Sequence, residues 1–536
     1  MAITNLNESV KKLLWIYEKT PKENFYTEPG PKIQVSDMVS RFASIYEKVR
    51  NVVDFREEHL LRKHAIKRIL KRRLMIIGLK RGESIAKPMI EELIRARYLP
   101  NDTIPEIKIL EVDQAIDKYL YLMKRVNDQR KRKDIRKVAD WILSVGACEI
   151  EERLVPSPRE KATVEFMFNI VSKEINIPDN KLPEEDKQIL IYLETLKSLL
   201  KADAPILSYH LLRVFYPNWL QADRAQVDEV ASNIDDLREK MDSMITSRNG
   251  EKVLRILKRY SIVFLILHDI MQDDPKNIRL KMENEAVLDE TIKEACEKRY
   301  KATRTKLNRS IIRSIIYIFI TKMAIAIAIE LPIDYYLLNS LNYVSVAVNI
   351  LVPPLLLLII AMTIRVPNEK NTLKIIAGIK KTAFLDQKPL ITEEIKKPVK
   401  RSKFFNFIFK LLYAITFIIP FTAIIIGLVL LDFSVPSIFL FILFLCIVSF
   451  FGIRLRQISQ ELNMIERKES VSNAIVDFFF LPILKVGQWI SVNFSKINIF
   501  VFILDFIIEA PLKLIFEVLE DWFSFVREKK DEIVDA

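Results

Sequence analysis

Glycine is nearly missing from this chain: 9 of 536 residues, against a usual share of about 7%. Folds that cradle phosphates or dinucleotides need glycine-rich turns that bring backbone N–H groups to the ligand. Neither G-x-x-x-x-G-K-[ST] nor G-x-G-x-x-G occurs, which argues against P-loop and dinucleotide-binding Rossmann chemistry. Cysteine is equally sparse. Cys148, Cys296 and Cys446 lie far apart with no C-x-x-C pair, so no zinc ribbon or thioredoxin-type site is expected, only free thiols in a reducing compartment.

Histidine numbers four: His59, His64, His210 and His268. His59 and His64 are five apart and match no H-E-x-x-H pattern, so they read as surface or core histidines. S-x-x-K occurs at Ser9–Lys12, Ser84–Lys87 and Ser198–Lys201. With so many lysines that is what chance supplies, and the companion S-D-N and K-T-G elements are missing. No catalytic group, metal set or cofactor is expected. Strand signals are nearly absent too, with no sustained alternation of period two. Lys11 and Lys12 precede only a short apolar stretch, Leu13–Tyr17, so no secretory signal peptide is expected.

Half of the residues are apolar and 28% are charged, with a mean hydropathy of +0.13. That combination calls for two unlike regions. Residues 1–310 are charged throughout. Apolar positions such as Leu60, Leu61, Ile66, Ile69, Leu70 and Leu74, and Ile109, Val112, Ile116, Tyr119, Leu120 and Met123, recur at three- and four-residue steps, the period of amphipathic helices. Breakers at Pro29–Pro31, Pro100–Pro105, Pro156–Pro158, Pro178–Pro183, Ala204-Pro205 and Asp273–Pro275 divide the region into about eight to ten helices. Ser36, Asp37 and Asp223 are candidate N-caps.

From residue 311 four segments reach the ~20 apolar residues that cross a bilayer core. They are 311–331, 343–364, 411–431 and 434–453, and the last three carry no charge. The first contains Arg313, Lys322 and Glu330. Between the second and third spans, 365–410 holds twelve Lys or Arg, whereas 332–342 holds none. Basic loops stay cytoplasmic. Four spans place every basic region on one side, with both termini in the cytoplasm and the chain in the cell membrane. Residues 473–526 are rich in Phe, Ile, Leu and Trp but interrupted by Asp477, Lys485, Lys496, Asp505, Glu509, Pro482 and Pro511. They read as interfacial or re-entrant amphipathic helices, with a spanning hairpin as the alternative.

The expected fold is therefore all-α: a cytoplasmic helical domain (1–310), a four-span membrane domain (311–453) and an amphipathic C-terminal segment (454–536). Two sets of residues are candidate sites. Arg62, Lys63, Lys67, Arg68, Lys71, Arg72, Arg73, Lys80 and Arg81 form a basic stretch without an acid, and Lys124–Lys137 holds a second. Such stretches contact anionic lipid headgroups or phosphates. RNA or ribosome contact is less favoured, because no aromatics for base stacking accompany them. The second set lies in the spans: Lys322, Glu330, Asn349, Pro353 and Pro354. Lys322 is roughly 13 Å deeper than Arg313, and Glu330 a further ~12 Å along the same helix. Direct pairing is not expected, and Lys322 is expected to snorkel toward Arg313. The two prolines deprive the carbonyls of Asn349 and Ile350 of their helical donors.

Two functions compete. One is a non-enzymatic membrane anchor or scaffold, presenting the large basic helical domain to an unidentified protein partner. The other is an oligomeric channel or small transporter built around Lys322 and Pro353-Pro354.

Overall fold

The computed structural model describes residues 6–20, 30–36, 40, 47, 58–77, 85–128, 132–178, 182–337, 342–364, 367–384, 389–391, 395, 402–464 and 471–496, with isolated positions beyond 514. Among these residues every regular element is a helix, and β-pairing is confined to the isolated bridges Leu6–Phe384 and Lys32–Pro105. Most of 473–526 beyond Lys496, and the candidates Lys80 and Arg81, lie outside the described residues.

Contacts divide the chain into one unit of residues 8–257 with 499–536, and another of residues 1–7 with 258–498. The division falls inside a helix, well before the apolar composition begins at 311.

The first unit holds α1 (Glu8–Lys19), α2 (Glu58–Ile77), α3 (Ala86–Arg95), α4 (Ile107–Asp128), α5 (Arg132–Leu154), α6 (Pro158–Glu174), α7 (Glu184–Leu199), α8 (Ala204–Phe215), α9 (Arg224–Ser232), α10 (Ile234–Ile245) and the start of α11 (Arg248–Asp273). The periodic apolar residues of α2 and α4 meet α3 and α5 in one core that includes Ile66, Ile69, Met89, Leu93, Val112, Ile116 and Ile150. Asp223 caps α9 by accepting from the N–H of Gln226 at 2.9 Å, as its position after Pro217 predicts. Asp203 caps α8 in the same way, accepting from Ile206. Helices are more numerous than eight to ten because single asparagines punctuate them: Asn233 separates α9 from α10.

The second unit continues α11 and adds α12 (Ile278–Glu283), α13 (Glu285–Ile325), α14 (Tyr343–Met362), α15 (Glu369–Ala383), α16 (Lys403–Val429), α17 (Val435–Gln460) and α18 (Val471–Lys496). Four helical stretches are long and apolar enough to cross a membrane: Glu285–Tyr336, Tyr343–Met362, Phe407–Val429 and Val435–Gln460. Their outer faces are uncovered apolar surface. Only 11% of the apolar window in α16 is buried by the protein, an exposure that water does not tolerate and lipid does.

α13 has 41 residues, about 60 Å at 1.5 Å per residue, twice a bilayer core. Its charged first half packs against α15, where Lys380 bonds Glu285 (2.7 Å) and Asp289 (2.8 Å). The basic segment between the second and third spans is thus folded in part, as α15. α18 packs along α17 and α16 through Ile483, Val486 and Ile490.

Candidate functional site

The basic stretch of α2 is mostly engaged inside its own unit. Arg62 bonds Glu151 at 2.7 Å, Lys67 bonds Asp140 at 2.7 Å and Arg68 bonds Glu47 at 2.7 Å. Lys63, almost wholly buried, pairs with the α8 cap Asp203, and both Arg72 and Arg73 face Glu92. Lys71 is exposed. The sequence shows the cations adjacent in the chain. Their acids come from α3, α5, the α8 cap and Glu47, none of them within the stretch.

Two of the S-x-x-K groups are engaged by other partners. Ser198 Oγ donates to Thr195 O at 3.0 Å, and Lys12 pairs with Glu165 at 2.7 Å. Ser84 lies outside the described residues. No group of three or more His, Cys, Asp or Glu able to hold a metal exists among the described residues. All three cysteines are buried free thiols.

His210 is a partly buried group in the first unit, with Nδ1 3.1 Å from the phenol oxygen of Tyr192. Burial, reinforced by Arg213 and Lys161 and opposed by Glu152, lowers its pKa from 6.5 to about 4. The neutral ring is the native form, while the unfolded chain takes up a proton below 6.5. Stability of this unit therefore holds above pH 6.5 and falls as pH drops from 6.5 toward 4, by about 3 kcal/mol at 1.36 kcal/mol per unit. Denaturant unfolding at pH 7 and pH 4.5 should show that loss. His210→Phe, which keeps the edge-to-face contact with Tyr192, should reduce it.

The membrane unit holds the other candidate site. On α13 and its continuation, buried positions follow one stripe in steps of four: Ser310, Ser314, Ile318, Lys322, Ala326, Glu330 and Asp334. On α14 the buried stripe is Ser345, Asn349, Pro353 and Leu357. The two stripes face each other, and α17 closes the third side. Residues 326–330 and 333–337 are wound as π-helix, and the N–H of Leu331 donates five residues back to Ala326 O. Such wide turns recur at functional positions. This one lies just before Pro332, which has no N–H to hold the α register.

Glu330 sits at the centre, fully buried. Its Oε1 accepts from Asn349 Nδ2 at 2.6 Å and from Ser437 Oγ at 2.5 Å. Asn349 Nδ2 also lies 3.4 Å from Ser437 O, and Ser434 Oγ, the cap of α17, donates to Ser437 Oγ at 3.0 Å. Pro353 and Pro354 are buried one turn further along α14.

Lys322 does not snorkel toward Arg313. Its side chain is 0% exposed, and its ammonium lies 4.6 Å from the centroid of the Phe444 ring on α17, a cation–π contact that partly replaces water. Lys322 belongs to the buried stripe, whereas Arg313 lies on the exposed face of α13. Depth alone suggested snorkelling, and the helix face decides otherwise. Asp334, Ser345 and Ser437 were missed as members. Four-residue spacing from Glu330 and Asn349 was the available signal for Asp334 and Ser345. Nothing local marks Ser437.

No family model matches the chain, and comparison with curated proteins and with solved structures finds no match.

Proposed function

We propose that the protein is a non-enzymatic integral membrane protein that anchors a large helical domain at the cytoplasmic face of the cell membrane. One observation carries this reading: a helical unit with its own apolar core and internally paired charges shares its chain with a unit whose helices are coated in exposed apolar surface. The twelve cations of 365–410 support a cytoplasmic position for that segment, and with it cytoplasmic termini. Anionic headgroups beside these cations, and a protein partner for the helical domain, belong to the same proposal. Cysteine labelling in intact cells tests the orientation after Cys148, Cys296 and Cys446 are replaced. Asn339→Cys should label from outside and Lys388→Cys should not. The opposite pattern overturns the orientation.

The buried set Lys322, Glu330 and Asn349 favours a second reading, a small channel or transporter, because charges inside spans are costly and mark pathways. Ion flux in proteoliposomes separates the two. The anchor predicts flux of Na+, K+ and protons no greater than in protein-free vesicles. Flux that Glu330→Gln abolishes selects the channel.

A further inference from the structure

Among its described residues the membrane unit has two fully buried asparagines, Asn349 and Asn371, and they are treated differently. Asn371 is saturated: Nδ2 donates to Tyr300 OH (2.9 Å) and Leu462 O (2.8 Å), and Oδ1 accepts from the N–H of Met464 (2.8 Å). Asn349 is not. Both contacts of its Nδ2 are to acceptors, which fixes the amide orientation, and its Oδ1 has no hydrogen-bond partner. Neither has Glu330 Oε2, Asp334 Oδ1 or Ser345 Oγ. Four oxygens that can accept are left over in one region where buried polar groups are ordinarily satisfied.

These residues are neighbours by construction. Glu330 and Asp334 are four apart on one element, and Ser345 and Asn349 are four apart on the facing one. The Asn349–Glu330 bond joins the two antiparallel pairs. Helix periodicity puts Asp334 and Ser345 each about one turn outward of Glu330 and Asn349. Asn349 also brings a backbone carbonyl whose i+4 donor is lost to Pro353.

The charges select the ligand. Two carboxylates against one ammonium, Lys322, leave one negative charge uncompensated. A proton would neutralise it but satisfies too few of the four oxygens. A divalent cation would overcompensate it. From this oxygen set and its charge we infer that Glu330, Asp334, Ser345 and Asn349 form a binding site for one dehydrated monovalent cation of the Na+ class, with Lys322 as a fixed counter-charge held by Phe444. Hard alkali cations take oxygen ligands, and carbonyls freed from helices serve them inside membranes. The site stands whether or not the ion is carried across, so its test is binding and not flux.

The probe is 22Na+ on the purified full chain in detergent, with thermal unfolding in NaCl against choline chloride at equal ionic strength. Saturable binding of one Na+ per chain is expected, with Tm rising as Na+ replaces choline. Glu330→Gln retains an Oε1 acceptor for Asn349 and Ser437 and should weaken Na+ at least tenfold. Asp334→Asn serves the same purpose if Glu330→Gln does not fold. Lys322→Met removes the competing positive charge and should tighten Na+ binding about tenfold. Equal binding to the native chain and to both carboxylate variants overturns the site. So does a Tm that responds to pH through Glu330 but never to Na+, which would assign a proton, or displacement of Na+ by micromolar Ca2+.

Discussion

Glu149→Ala should cost the helical unit about 3–5 kcal/mol, the range for removing one partner from a buried ion pair, out of a total of about 5–15 for a typical domain. Glu149 on α5 is fully buried. It receives Lys118 Nζ at 2.8 Å, Arg153 Nη2 at 2.8 Å and the hydroxyl of Tyr119 at 2.9 Å. That hydroxyl in turn accepts from Trp219 Nε1 at 2.9 Å, and Lys118 reaches Trp219 O at 2.7 Å. One carboxylate therefore ties α4, α5 and the turn before α9. Without it the Lys118 ammonium, whose side chain is 8% exposed, remains in the interior with no counter-charge. Cys148 supplies the readout. Its thiol is buried, and burial raises its pKa, so it is inert in the native state. With Cys296 and Cys446 replaced, alkylation of Cys148 measures opening of this unit. Glu149→Ala should accelerate it by two orders of magnitude or more, since 1.36 kcal/mol is tenfold. Glu149→Gln, which keeps the volume and one acceptor, should fall between. Unchanged alkylation in the alanine variant would show that the network is dispensable.

Gly487→Leu should detach α18 from α17. A Cβ at Gly487 would stand 2.0 Å from Cys446 O and 2.8 Å from Phe450 Cβ. The first is backbone, so no rotamer change relieves it. The helices must separate, and the contacts of Ile483 and Ile490 with Cys446 and the surrounding apolar side chains loosen with them. Overpacking costs about 1–3 kcal/mol in a well-packed core, and leucine at a backbone contact belongs at or above the upper end. Gly427 provides the control, because a Cβ there meets nothing within 4 Å. In detergent, Gly487→Leu should lower Tm by several degrees and Gly487→Ala by less, while Gly427→Ala does not lower it. Equal Tm values for the Gly427 and Gly487 variants would remove the close crossing from the account.

The sequence by itself determined the helical class, the four apolar segments and the asymmetry of basic loops. Each is a local property. Periodicity of 3.6, a run of some 20 uncharged residues and the count of Lys and Arg between runs are all read along the chain without knowing what packs where. The Asp223 cap was legible for the same reason, since a cap bonds to an N–H three residues on.

Partnership was decided only by the tertiary structure. The cations of α2 stand in a stretch that holds no acid, yet Glu151, Asp140 and Glu92 from other helices and Asp203 at the α8 cap pair with them. Lys322 read as a snorkelling side chain because distance along the axis was the available measure. Its fate depended on which face of α13 meets α14 and α17. Glu330 found Asn349 and Ser437 from 19 and 107 residues away, through two helix contacts and a π-turn that no local pattern announces. A buried charge is tolerated only where the whole bundle supplies its partners, and that supply is a property of packing, not of the segment that carries the charge.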